Sequence, residues 1–253
     1  MTSLSRRAAL LGIGGAGTMV ASGAALPAAA AQPEGAALAG LASQLAAAPR
    51  RRDFSAVPFL IDRPELWDHE ASAILLGYRS GPRQVWECTD VAAWPNLMRE
   101  SLNAQVFAHG HRDFLMIAAV HGTAHVALFN QAMWDRYKLA ANTGGKFTRN
   151  DFIVERPGAS ASDDRQDVDG YYGPGNNNIV SLQRRGAVFV ACHDSIHAIA
   201  RAAHAQQGAD SPGADRIAAE LTNNLIPGAV LVPSVVAYLA EAQQAGFTYA
   251  KAS

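Results

Sequence analysis

Two apolar runs in this chain stop at residues able to do chemistry. Val188 to Ala191 ends at Cys192-His193, and Phe114 to Val120 ends at His121-Gly122. In an open α/β sheet, ligands bind beyond the carboxyl ends of the strands. Cys192, His121 and His193 are therefore the candidate catalytic residues. Cys192 also precedes a stretch with helical character, and a helix N-terminus stabilises a thiolate. His193 would add to that effect if its ring faced the sulfur. A thiolate can take up sulfane sulfur, be oxidised to sulfenate or bind a soft metal. The alternative is an inert buried thiol, since free cysteine is among the most buried residue types.

His121 and His125 are four residues apart, and so are His193 and His197. If both pairs sit on helical turns at adjacent strand ends, His121, His125, Cys192 and His197 offer imidazole and thiolate ligands for zinc, copper or haem iron. The alternative is polar surface or local capping. The second of the two cysteines, Cys88, follows Trp86-Glu87 in what reads as a loop or short strand. It is expected to be structural, and in an oxidising compartment it could pair with Cys192. His109 and His111 precede the second apolar run, at the opposite end of the sheet. Asp68-His69-Glu70 reads as acidic surface, and His204 as support for a helix C-terminus. Gly173-Pro174-Gly175 lacks the Lys-Ser/Thr of a phosphate loop. There is no Gly-x-Ser-x-Gly and no paired-cysteine metal motif.

The elements positioning these residues follow an export signal. Arg6-Arg7, a Gly- and Ala-rich run to Leu26 and Ala29-Ala30-Ala31 form a twin-arginine pattern with a cleavage site before Gln32. Removing residues 1–31 leaves 222 of the 253 residues. The signal holds two of the 21 basic residues and none of the 22 acidic ones, so the mature chain carries a net charge of −3 at pH 7. That balance argues against nucleic acid or an anionic membrane as partner. The Arg50-Arg51-Arg52 run reads as a solvated linker. A periplasmic or secreted protein is expected, with no membrane association after signal cleavage.

Residues 32–70 read as an N-terminal extension, Ala-rich to residue 50 and irregular from Pro58 to Trp67. The segment 71–253 reads as one domain. Ala73 to Tyr78 suggests a first strand, and Trp94 to Val106 has helical spacing. Phe114 to Val120 is a strand buried on both faces, and Ala124 to Leu139 a helix. Residues 142–178 form a polar insertion, with Tyr171-Tyr172 placed either to cover a pocket or to pack within the loop. A helix ends at Arg184-Arg185-Gly186, with Gly186 at the C′ position. Then come the strand to Ala191, a helix from Ser195 to Gln206, a helix from Asp215 to Asn223 and a strand over Ala229–Val232. A helix capped by Ser234 and an edge strand over Phe247–Ala250 complete the chain. Strands alternating with helices predict an α/β fold, with a mainly parallel five-stranded sheet covered on both faces.

The ordered set Arg184-Arg185-Gly186-Ala187-Val188-Phe189-Val190-Ala191-Cys192, then Leu225-Ile226-Pro227-Gly228-Ala229-Val230, then Gln243-Gln244-Ala245-Gly246-Phe247-Thr248-Tyr249 resembles the DsrE/DsrF-like family, also called the YchN-like fold. The resemblance covers most of residues 71–250 apart from the insertion. It implies a small parallel sheet, homo-oligomers and, as in some members, sulfur handling with a persulfide on the cysteine at Cys192. The export signal, the insertion and His193 after the cysteine depart from the family pattern. Cytoplasmic relay partners would be absent outside the cell. The expected ligand is a small sulfur species or, on the alternative reading, a metal or haem; a structural or partner-binding oligomer is the third reading.

Overall fold

A computed structural model describes residues 33–91, 94–208 and 210–252. The expected signal lies outside the described residues. Five strands form one sheet: β1 (Arg83–Cys88), β2 (Leu115–Val120), β3 (Val188–Cys192), β4 (Val230–Val232) and β5 (Thr248–Ala252). Their order is β4-β3-β2-β1-β5, and every neighbouring pair is parallel. The expected fold class is thus observed.

Alternate residues of each strand face opposite layers, as a pleated backbone requires. On β2, Leu115, Ile117 and Ala119 join α1 (Ala36–Ala47), α2 (His69–Leu76) and α8 (Val235–Gln244) in one apolar cluster. Met116, Ala118 and Val120 face the other cluster. There they meet α3 (Trp94–Asn103), α4 (Gln131–Tyr137), α5 (Ile179–Arg184), α6 (His193–Gln207) and α7 (Ala214–Asn223). The Ala-rich residues before the domain form α1, whose Leu38, Leu41 and Leu45 lie in the core. Gly186 follows α5 at φ 94°, and a Cβ there would come within 2.7 Å of Leu38 Cδ2. Glycine thus serves both the left-handed turn and the docking of α1.

Three expectations need correction. The first strand is Arg83–Cys88, while Ala73–Leu76 belongs to α2. Ala71, Ser72 and Leu75 are the buried positions of α2, a helical spacing that a short apolar run conceals. The helix expected over Ala124–Leu139 is divided. Gly122–Leu128 is a 3-10 segment, Phe129 is extended, and the Asn130 side chain restarts the chain by capping α4 through Met133 N at 3.1 Å.

Third, neither Arg50-Arg51-Arg52 nor Asp68 is solvated surface. Asp68 is 0% exposed. Its carboxylate accepts from Arg51 N at 2.9 Å, Arg52 Nη2 at 2.9 Å and Leu231 N at 2.8 Å. Asp68 N donates to Leu231 O at 3.0 Å. Since β4 is a sheet edge, Asp68 fills the hydrogen bonds that an edge strand otherwise leaves open. Arg51 meanwhile makes a bidentate pair with Glu70, at 2.6 and 2.8 Å. Among the described residues, no helix is long and apolar enough to cross a membrane.

Candidate functional site

The site lies at the carboxyl end of the sheet, on the side of α8. The pairing Val120↔Ala191 puts the next residues, His121 and Cys192, abreast at the ends of neighbouring strands. Backbones at that spacing are about 4.8 Å apart. His121 keeps an extended conformation, and its N–H continues the ladder to Cys88 O at 3.0 Å. Gly122 then turns at φ 59°, where a Cβ would meet Thr89 O at 2.7 Å. Its N–H donates to Ser195 Oγ at 3.3 Å.

Cys192 closes β3, and its side chain lies in the cluster shared with α8. Its sulfur accepts the N–H of Val235, the first residue of α8, at 3.4 Å. Ser234 caps that helix through Ala237 N. The thiol thus sits at the N-terminus of α8. It is 3% exposed.

Glu87 and Tyr249 complete the arrangement. Glu87 stands one residue before the end of β1, between Trp86 and Cys88, which face the other layer. Its Oε1 lies 3.1 Å from His121 Nε2, and its Oε2 accepts from the Tyr249 hydroxyl on β5. The hydrogen bond from Tyr249, then that from His121, holds the Glu87 carboxyl below its ordinary range. The same bond pushes the Tyr249 phenol up. A carboxylate can only accept, so His121 Nε2 carries the hydrogen and Nδ1 is left as the basic nitrogen. Nδ1 has no protein partner among the described residues.

His193, His125 and His197 do not join this group. His193 Nε2 bonds Pro58 O at 2.8 Å, and its ring packs on His197 with centroids 4.7 Å apart. Phe59 stands edge-on to His197 at 5.7 Å. These two histidines thus anchor the Pro58–Phe59 strap rather than face the sulfur. His125 is buried, and its Nε2 accepts from the Cys192 backbone N–H at 3.1 Å. Burial pushes His125 down to about 3 and His197 down to about 4. Burial also lowers His193.

The ligand set His121, His125, Cys192 and His197 is therefore not assembled. Among the described residues, no three His, Cys, Asp or Glu side chains converge to hold a metal ion. His121 precedes a 3-10 turn and His125 lies within it, and on such a turn residues four apart point in different directions. His193 and His197 do share a face of α6, but Pro58 and Phe59 take it up. The four donors do not converge on one metal ion.

The pairing of Cys88 with Cys192 is corrected as well. Both are free thiols, they face opposite layers, and β2 stands between their strands. Burial pushes the Cys88 thiol up. His109 and His111 stack on each other before β2, far from this site in the topology.

Glu87 and Tyr249 went unread in the sequence because residues 83–88 carry little apolar character. Once that segment is a strand, Glu87 falls at its carboxyl end beside His121. No protein-family model matches this chain, and no curated protein matches it either.

Proposed function

We propose that the protein takes up sulfane sulfur on Cys192, with His121 as the base and Glu87 and Tyr249 as residues that position it. The observation that carries the reading is the placement of His121, fixed by Glu87, abreast of a sulfur that accepts the first N–H of α8. In the step itself, His121 Nδ1 takes the thiol proton. The thiolate attacks the outer sulfur of thiosulfate, the donor S–S bond breaks, and sulfite leaves with its electron pair. Cys192 is left as a persulfide. With a polysulfide donor the leaving group is the shortened polysulfide anion. The imidazolium returns its proton to solvent, and Val235 N–H supports the negative sulfur.

Export to the periplasm and assembly as a homo-oligomer belong to the same proposal and rest on the twin-arginine pattern and the family resemblance. Val236, exposed on the first turn of α8, and the exposed Tyr249 supply apolar surface at the rim of the site. Light scattering coupled to size exclusion tests the assembly, and a monomer at micromolar concentration removes it.

Incubation with thiosulfate or polysulfide followed by intact-mass measurement tests the chemistry. The expected gain is one sulfur, about 32 Da, reversed by reductant. Cys192→Ser should abolish it while Cys88→Ser retains it. His121→Ala should slow loading by roughly 10²–10⁴-fold, the usual range for a lost general base. A mass gain unchanged in Cys192→Ser refutes the reading.

A further inference from the structure

At the amino end of the sheet, α5 ends at Arg184 and is followed by Arg185 and Gly186. Arg184 pairs with Glu155 Oε1 at 2.8 Å. Arg185 has no such partner. Its Nη1 and Nη2 are buried without an acceptor among the described residues. The guanidinium lies over the ring of Tyr172 at 5.1 Å and that of Phe107 at 5.9 Å. Contacts of this kind engage the face of the cation and leave its in-plane N–H donors unfilled. Burial pushes Arg185 down to about 10, so it stays protonated at neutral pH.

A cavity of about 40 Å³ adjoins this cation. Arg112, Glu34, Tyr171 and Tyr172 also line it. Glu34 is the only carboxylate in that lining, and it makes no hydrogen bond to Arg185 among the described residues. Glu34 offsets part of this charge, but against the two cations Arg185 and Arg112 it leaves the lining net positive, and water filling the empty donors does not neutralise that. The volume admits only a few water-sized centres. That space is too small for a nucleotide or a sugar.

We infer that this cavity binds a small monovalent inorganic anion of chloride size, held by Arg185 and Arg112 beneath Tyr171 and Tyr172. The anion would tie the insertion to the sheet. The Tyr172 carbonyl already accepts from Arg99 Nη1 at 3.2 Å and Asn103 Nδ2 at 3.0 Å, and its hydroxyl donates to Ala161 O at 2.9 Å. The site is independent of Cys192, and its test does not depend on sulfur loading.

Melting the purified chain in sodium chloride and in sodium gluconate at equal ionic strength separates an anion that fits from general screening. Gluconate is too large for the cavity. Chloride should raise Tm by roughly 2–4 °C and saturate with concentration. Arg185→Met should lose the difference, and Glu34→Gln should keep it. Crystals soaked in bromide should show an anomalous peak within hydrogen-bond reach of the Arg185 guanidinium. Equal melting in the two salts overturns the proposal, and so does a chloride effect that persists in Arg185→Met. If Arg185→Met does not fold, the bromide peak decides. A peak at Arg185 in the wild-type chain supports the site, and water alone at that position overturns it.

Discussion

Glu87 binds two partners with one carboxylate, and they have different jobs. His121 needs it for orientation, while Tyr249 keeps it ionised. Replacing Tyr249 by Phe removes the first cause of the depressed Glu87 pKa, which should move back towards the ordinary carboxylate range. A group with a depressed pKa loses its contribution as pH falls through that pKa, so the acid limb of sulfur loading should shift to higher pH in Tyr249→Phe. A pH–rate profile with an unmoved acid limb would exclude Tyr249 from the site. Glu87→Gln should slow loading by about 10-fold or more, an effect read from rates because a partly exposed pair contributes little to stability. Cys192 and His121 were legible because each ends a continuous apolar run, the signature of a strand buried on both faces. His193, His125 and His197 misled for a different reason. Spacing along the chain does not say what a strap or a 3-10 turn does with an imidazole.

Among the elements, the edge strand β4 pairs with β3 on one side and with Asp68, through its backbone and its carboxylate, on the other. Asp68 takes both the N–H and the C=O of Leu231 into its own hydrogen bonds, and Arg51 and Arg52 surround its carboxylate. Asp68→Ala should destabilise the chain by roughly 3–5 kcal/mol, the range for breaking a buried ion pair from one side. Urea unfolding measures this, and a loss under about 1 kcal/mol would mean that β4 is held by packing alone. Nothing in Arg50-Arg51-Arg52 announces this role, because its partner Asp68 and the edge it serves come together only in the fold. The strands β2, β3 and β4 were readable for the opposite reason, since each is apolar throughout. β1 buries only Val85 and Cys88, so in sequence its end at Trp86–Cys88 reads as a loop or short strand, and the more apolar Ala73–Tyr78 reads as the first strand.

Across the whole molecule, the buried imidazoles set an acid limit on stability. His125 and His197 are neutral when folded, with pKa values of about 3 and about 4. In the unfolded chain they titrate near 6.5. The unfolded state therefore binds more protons as pH falls from about 6.5 towards 4, and stability falls with it. Tm should drop across that window, and His197→Gln should flatten the slope. A Tm constant from pH 7 to pH 4 would contradict the burial of these rings. The placement of the two cysteines in opposite layers has a separate consequence for turnover. With only two in the chain and the sheet between them, Cys192 has no resolving cysteine. A sulfenate or persulfide formed there cannot discharge within its own chain and must wait for an outside thiol or nucleophile. On the proposed chemistry each chain would hold a single equivalent, and the rate of release would belong to whichever acceptor reaches the mouth of the site.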